Sequence, residues 1–437
     1  MFYNRTESIY YCSAIEQNME PGEIFSEWDV YAKRKELVPR DMDSQSIINN
    51  SDLKIIGLTG IRRCGKSSAL MLLAKELATK KEKVAYINLE DSRLAGKDEP
   101  LDEVIKWFGD EGYLLLDEVT RAKDWEGWLA RNHELLKGKL KLIISSSRGA
   151  LFVPSRPLRG RILPIEMYPL AFGEYLAFKE IEPGKTTAAR GKIEAAFSEY
   201  QKYGGFPEIA FVKNDLDKIR ILNSYFRDII GLDIAEASGS DISLVEAFGR
   251  YLLQSPYFSA SKCLNFMSTV GFKIGKEKIL LLERSAQESF LFFFVPIFAY
   301  NIKDRSQYPR KAYCGDTGFF FAGTGVFDIG RTYENIAYLE LRRRTQRMQD
   351  ICYWKDKAGH EVDFVVRKGR QVSLAIQVVY DLHDEKTRKR EIASLVRCAV
   401  ELKAEKALVL TKDEGGKQTI EGIEVEFVPL LTWLMSR

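Results

Sequence analysis

The sequence predicts an α/β protein with an N-terminal domain on a mostly parallel sheet, a helical middle, and a second α/β domain toward the C-terminus. Three observations predict it. From Leu53 to Ser145, apolar strand-like runs alternate with helical patterns, the mark of a parallel sheet covered by helices on both faces. The first of those strands runs into a glycine-bracketed turn, Gly60 to Ser67, that opens a helix. After about Tyr168 the alternation stops, and strands return near residue 310.

Element by element, residues 1–50 are mixed and polar, with a short helical pattern at Ser26–Leu37, and read as an N-terminal arm. Residues 51–168 form the first α/β domain. Its strands are Leu53–Thr59, Lys83–Leu89, Gly112–Leu116 and Leu140–Ser145; its helices are Lys66 to about Thr79, Leu101–Phe108 and Trp125–Leu136. Residues 169–240 read largely helical, as a lid or linker. Residues 241–305 carry short helical patterns and then apolar runs at Ile279–Leu282 and Phe290–Phe298, a small domain of winged-helix character. Residues 306–437 form the second α/β domain. Strands are expected at Ala312–Cys314, Ile351–Trp354, Glu361–Arg367, Val372–Val379, Ala407–Leu410 and Glu424–Phe427, with helices at Tyr333–Arg344 and Thr387–Leu402.

Composition sets the frame. A chain of 437 residues exceeds one ordinary compact domain. With 45% hydrophobic and 29% charged residues, it can bury large cores and is not disordered. Its net charge of +3, from 65 basic and 62 acidic residues, gives no bulk argument for nucleic acid or an acidic membrane. The six cysteines, at 12, 64, 263, 314, 352 and 398, form no C-x-x-C pair, and there are three histidines. That argues against a zinc site of familiar spacing and reads as reduced thiols of a cytoplasmic chain. The start, MFYNRTESIYYC, lacks a basic segment followed by an apolar run, so no signal peptide is expected. The most apolar stretch, Phe290 to Tyr300, is about half of what a bilayer span needs and reads as a buried strand or helix.

The strongest motif is Gly60-Ile61-Arg62-Arg63-Cys64-Gly65-Lys66-Ser67, a match to G-x-x-x-x-G-K-[ST], the Walker A pattern of a P-loop. Gly60 and Gly65 let the backbone bend around phosphates without side-chain clash. The exposed N–H groups then point inward at a helix N-terminus, as an anion nest that continues to Ser68. Lys66 is expected to reach the β- and γ-phosphates, and Ser67 to offer its hydroxyl to Mg²⁺. Arg62 and Arg63 either touch phosphates or shape the loop.

Leu114-Leu115-Leu116-Asp117-Glu118 is an apolar strand ending in two acids, the Walker B pattern. At the carboxyl end of a parallel strand, Asp117 would face the Mg²⁺ shell, and Glu118 would polarise the attacking water as general base. The fourth strand ends in Ser145-Ser146-Ser147. Ser146 is read either as a sensor beside the γ-phosphate or as part of an ordinary polar loop. Arg159 and Arg161 follow. Arg161 could stabilise transition-state charge, in cis or from a neighbouring subunit, or serve as a surface ion-pair partner.

At this point the residues resemble a known family. GIRRCGKSS (60–68), LLLDEV (114–119), IISSSRGAL (143–151), LRGR (158–161), YPLAFGEYL (168–176), YGGFPE (203–208), YCGDTGF (313–319) and YWKDKAGHEVDFVV (353–366) occur in order across almost the whole chain. Together they resemble the bacterial and archaeal AAA-like predicted ATPases with a C-terminal domain of unassigned function. The resemblance implies a P-loop NTPase core of AAA type, a winged-helix linker, and a C-terminal domain similar to restriction-endonuclease cores. It implies ATP and Mg²⁺ as cofactors and a homo-oligomer as one form of assembly, and it leaves the client open, DNA or protein.

Restriction-like nucleases place a Glu on a first helix, an Asp on a strand and E-x-K on the next strand, so that carboxylates hold Mg²⁺ and the Lys helps activate water. Glu334 and Asp363 fit the first two positions, and Glu361 is a further acid nearby. On the next strand Gln377 stands where Glu belongs and Val379 where Lys belongs. Gln is a weaker ligand for a hard cation, and Val can do neither acid nor base work. The expectation is a non-catalytic domain. The functional expectation is therefore Mg²⁺-dependent ATP hydrolysis that drives domain rearrangement. The alternatives are a DNA-binding ATPase, with Lys386–Arg390 among its basic contacts, and a nucleotide-gated interaction module.

Overall fold

The computed structural model describes residues 19–94, 100–147, 149–151, 156–184, 186–299, 301, 305, 308–345 and 349–436. Residues 1–18 of the N-terminal arm, Cys12 included, lie outside the described residues. The chain divides into two compact units, one of residues 1–61 and 65–167, the other of residues 62–64 and 168–437.

In the first unit, α1 (Pro21–Arg34) and α2 (Ser44–Ser51) precede β1 (Ile55–Thr59), α3 (Lys66–Thr79), β2 (Val84–Asn88), α4 (Pro100–Phe108), β3 (Gly112–Asp117), α5 (Trp125–Leu135), β4 (Leu140–Ser146) and β5 (Ile162–Glu166). The five strands pair in the order β2-β3-β4-β1-β5, all parallel. β1 is buried along its whole length, as strands covered on both faces are. One side of the sheet packs Ala85, Ile87, Leu114, Leu116, Leu142 and Ile144 into a core with Trp128 and Leu129 of α5 and Ile24 and Phe25 of α1. The arm is thus partly core: α1 belongs to the first unit, and its Trp28 indole donates to Asp91 at 2.8 Å. The sequence reading missed β5, whose segment is Ile-Leu-Pro-Ile-Glu. Proline in a strand speaks against a central position, and Pro164 is accommodated because β5 is the edge strand beside β1.

The second unit begins with α6 (Phe172–Phe178), α7 (Thr187–Tyr203), α8 (Pro207–Phe211) and α9 (Asp215–Asp228), which runs on as a π-helical segment, Ile229–Ala235. Then come α10 (Ile242–Gln254), β6 (Tyr257–Phe258), α11 (Ala260–Thr269), α12 (Lys276–Glu288), β7 (Phe292–Val295) and β8 (Arg310–Cys314). β6, β8 and β7 form a small antiparallel sheet. The apolar run at Ile279–Leu282 lies on α12, and the Phe290–Tyr300 run supplies β7. No helix among the described residues is long and apolar enough to cross a membrane.

The unit ends with α13 (Gly318–Thr324), α14 (Ile329–Arg344), β9 (Asp350–Lys355), β10 (Glu361–Lys368), β11 (Gln371–Val378), α15 (Glu385–Leu402), β12 (Ala407–Thr411), β13 (Gly416–Ile420), β14 (Ile423–Pro429) and α16 (Leu430–Met435). The six strands pair as β13-β14-β12-β11-β10-β9. β11-β12 and β12-β14 are parallel and the remaining pairs antiparallel. β13 was also missed: Gly-Lys-Gln-Thr-Ile is exposed at four of five positions and offers no apolar signal. Two motifs of the sequence meet inside this unit. The buried Asp316 of YCGDTGF accepts the backbone N–H of Gly205 at 2.8 Å and of Gly318 at 2.9 Å. Gly204, at φ +77°, leaves no room for a Cβ beside the Asp316 carboxylate, which explains the glycine pair of YGGFPE.

Candidate nucleotide-binding site

Parallel strands aim their C-terminal ends at one edge of the sheet, the usual place for ligands in such folds. β1 ends in the loop Gly60–Gly65, β3 in Asp117, and β4 in Ser145 and Ser146. Because β4 lies between β1 and β3, its serines stand between the loop's strand and the acids. Gly65 takes φ +105° just before α3, a backbone state that a side chain disfavours. Lys66 is the first residue of α3 and is buried. Its Nζ donates to the loop carbonyls of Gly60 at 2.9 Å and Ile61 at 3.2 Å. Ser67 follows, and its hydroxyl is hydrogen-bonded to Asp117. The loop and the end of β3 are therefore in direct contact, on one side of one site. Ser68 is half-buried in the first turn, while Ile61 and Cys64 are buried.

Asp117 is fully buried and surrounded by hydroxyls. Burial and the adjacent Glu118 push its carboxyl above the usual range, against the bonds from Ser145, Ser67 and Tyr86 that lower it. The Tyr86 hydroxyl donates to Oδ2 at 2.7 Å, and the Ser145 hydroxyl donates to Oδ1. Ser145 also accepts the backbone N–H of Glu118 at 3.0 Å. Glu118 sits in left-handed backbone at φ +50°, an uncommon state for a residue with a side chain. Its Oε2 accepts from the Ser147 N–H at 3.2 Å and the Ser147 hydroxyl at 3.3 Å. The carboxylate is thus held by the loop that follows β4.

Ser146 shares a hydrogen bond with Thr120 at 3.1 Å, and it is the flanking serines that hold the two acids. Strand alternation explains this, since residues two apart share a face and the middle one points away. That parity was available in the sequence. Tyr86 was not singled out there, because a strand buried on both faces does not reveal which side chain meets an acid. Arg161 donates to the Pro157 carbonyl at 2.8 Å and, itself half-buried, pairs with the exposed Glu134 at 3.2 Å. Arg62 and Arg63 group with the second unit. Arg62 makes a two-pronged pair with the buried Asp233, at 3.0 and 2.9 Å. Arg63 lies over the Tyr225 ring at 5.3 Å and 3.8 Å from Asp228.

Residues 52–176 match the family model described as an AAA domain. This match supports an AAA-like ATPase. Residues 329–432 match a second model, described as a domain of unknown function, DUF4143. The chain is 29% identical over 423 residues to an uncharacterized protein of Methanocaldococcus jannaschii, covering 93% of this chain and 92% of that one. A second uncharacterized protein, from Haemophilus influenzae, is 25% identical over 92% of this chain and all of its own length. Among solved structures, AMPPCP-bound DnaA from Aquifex aeolicus aligns at 14% identity and a TM-score of 0.27, over 56% of this chain and 86% of its own. A STAND-class signal-transduction ATPase from Pyrococcus horikoshii aligns at 15% and 0.28, over 72% and 47%. Superpositions at such scores carry no functional argument; the AAA-like assignment rests on the family match and the parallel sheet.

Proposed function

We propose that the chain is a Mg²⁺-dependent ATPase whose AAA-like core occupies residues 51–168. The observation that carries this reading is the contact of Ser67 with Asp117 beside Lys66, at the C-terminal edge of a five-stranded parallel sheet. The residues fit the ion: Ser67 and Asp117 are adjacent oxygen donors of the kind a hard cation takes, and Asp117 is a buried acid in want of positive charge. Bound there with ATP, Mg²⁺ would neutralise phosphate charge. The chain's own groups do the rest. The loop's N–H groups from Ile61 to Ser68 bind phosphate oxygens. Lys66 exchanges the carbonyls of Gly60 and Ile61 for a phosphate. Glu118, held at Oε2 by Ser147, takes the proton of the attacking water at its carboxylate. Ser146 is assigned a nucleotide contact and Arg161 a charge-stabilising role that requires it to leave Glu134.

The surrounding residues support the remaining assignments. Three helices with the short strands β6 and β7 suit a winged-helix-like segment at 241–305, after a helical lid at 169–240, although the strand that joins β6 and β7, β8, comes from beyond residue 305. The mixed sheet of residues 306–437 suits a restriction-endonuclease-like fold without catalysis. The ATPase reading is tested with purified wild type and Glu118→Gln, which keeps the shape and removes the base. The wild type is expected to release phosphate from ATP only with Mg²⁺, and Glu118→Gln to bind ATP while turning over on the order of 10²-fold or more slowly. Equal turnover in the two proteins sinks the assignment of Glu118; failure of the wild type to bind ATP sinks the whole reading.

A further inference from the structure

The C-terminal acids converge as the nuclease resemblance requires, but the place of the cation is taken. Lys311, on β8, is 5% exposed. Its Nζ stands 3.0 Å from Glu334 Oε1, 3.0 Å from Glu361 Oε1 and 2.7 Å from Asp363 Oδ1. One oxygen of each acid thus faces the same ammonium. Its Nζ also lies 6.0 and 5.9 Å from the ring centroids of Tyr257 and Tyr353. Further groups also bond the acids. Asp363 Oδ2 accepts the Val378 N–H at 2.8 Å, and Glu361 Oε2 pairs with Lys355 at 3.0 Å. The Tyr313 hydroxyl donates to Glu334 at 2.5 Å and Tyr257 donates to Glu361. Gln377 uses its carbonyl on the Asp363 N–H at 3.4 Å and its amide on Glu391 at 2.6 Å.

A divalent cation of this class needs several oxygens at about 2.0–2.6 Å from one point. Here that point is an ammonium which cannot be expelled without burying it unpaired, a costly state. Among the described residues no group of three ligating side chains is arranged to hold a metal ion. We propose that Lys311 is the built-in cation of this domain, replacing a divalent metal, and that the cluster is a locked, non-metal centre. The lysine lost from position 379 of the E-x-K pattern has not been restored by Lys311 as a helper of water activation. Lys311 neutralises the acids themselves and closes the site to metal-dependent cleavage. This inference is independent of the ATPase reading.

The test is a Mn²⁺ titration of the full chain without nucleotide, following free Mn²⁺ by electron paramagnetic resonance and Tm by calorimetry. Any Mn²⁺ held near the phosphate loop is recognised by its loss in Asp117→Asn. The wild type is expected to hold no Mn²⁺ that Asp363→Asn removes. Lys311→Met strips the internal cation, and its Tm is expected to fall by on the order of 10 °C. It is expected to gain one Mn²⁺ and recover most of the loss, and to gain neither when Asp363→Asn is added. Wild-type Mn²⁺ binding that disappears in Asp363→Asn overturns the proposal. So does a folded Lys311→Met that gains no ion. If Lys311→Met does not fold, the wild-type titration against Asp363→Asn decides alone.

Discussion

Asp117 and Glu118 accept their hydrogen bonds from Tyr86, Ser145, Ser67 and Ser147, whereas Glu334, Glu361 and Asp363 share the ammonium of Lys311. Asp117, Glu118 and Asp363 are buried, and Glu334 and Glu361 are half-buried. The difference is in their counter-charge. Hydroxyls orient a carboxylate without neutralising it, so burial wins and Asp117 is pushed above the usual range. In the second group the charge of Lys311 and bonds from Tyr257 and Lys355 outweigh burial at Glu361 and hold that carboxyl low, while at the more deeply buried Asp363 burial outweighs the same lysine. The first arrangement has a use for an incoming cation. The second already carries one.

The sharpest break between the two is the same substitution made in each. Asp117→Asn is expected to lower kcat/KM for Mg²⁺-ATP by on the order of 10²–10³, the loss of several kcal/mol of transition-state stabilisation. Asp363→Asn is expected to leave ATP turnover within about two-fold. Steady-state phosphate release with titrated Mg²⁺ measures both. Equal losses would mean that the second cluster feeds into turnover and is not merely a locked centre.

Asp316 supplies a third way of holding a buried acid, with two backbone N–H groups and no lysine. Burial pushes it up to about 7, against the bonds from Gly205 and Gly318 that lower it. Its unfolded value is about 3.9, so between roughly pH 4 and 7 the folded chain binds the extra proton. Stability is therefore expected to fall as pH rises through that window and to level off above it, by at most about 4 kcal/mol. Asp363, also pushed up to about 7 by burial, acts in the same direction. Asp316→Asn should flatten part of the slope, as read from chemical denaturation between pH 5 and 8. An unchanged slope removes Asp316 from the account.

These contrasts also mark what the sequence could show. The loop at 60–67 and the acids at 117 and 118 were legible because each is a short contiguous pattern set by strand-to-loop geometry. The central strands were legible because burial on both faces requires apolar runs. β5 and β13 were not, since edge strands tolerate Pro164 and the polar run Gly416–Ile420. Lys311 was invisible for a different reason. It lies 52 positions before Asp363, on a strand of another sheet, and no local spacing ties a lysine to acids that only the tertiary fold assembles.

Within the first site, Ser145 carries more than its neighbours because it serves both acids. Ser145→Ala leaves the buried Glu118 N–H without its partner, at a cost of about 1–3 kcal/mol. Turnover should fall about ten-fold as Asp117 and Glu118 lose their common anchor, about 1.4 kcal/mol of barrier. If stability falls and turnover does not, the bond is structural only.

The smallest effect is the most direct measure of tuning by hydroxyls. Tyr86→Phe keeps the ring that fills the core and removes one donor to Asp117, worth about 0.5–1.5 kcal/mol. That bond favours the ionised carboxylate, so its loss should raise the Asp117 pKa further and increase the Mg²⁺ needed for half-maximal turnover a few-fold, most visibly at low pH. Tyr313→Phe removes the matching hydroxyl from Glu334 in the lysine-filled cluster and should leave the Mg²⁺ requirement untouched. If the two phenylalanine variants show the same Mg²⁺ dependence, hydroxyl donors do not set the charge state of Asp117. The contrast between an acid pair that waits for a cation and three acids that own theirs would then have to rest on Lys311 alone.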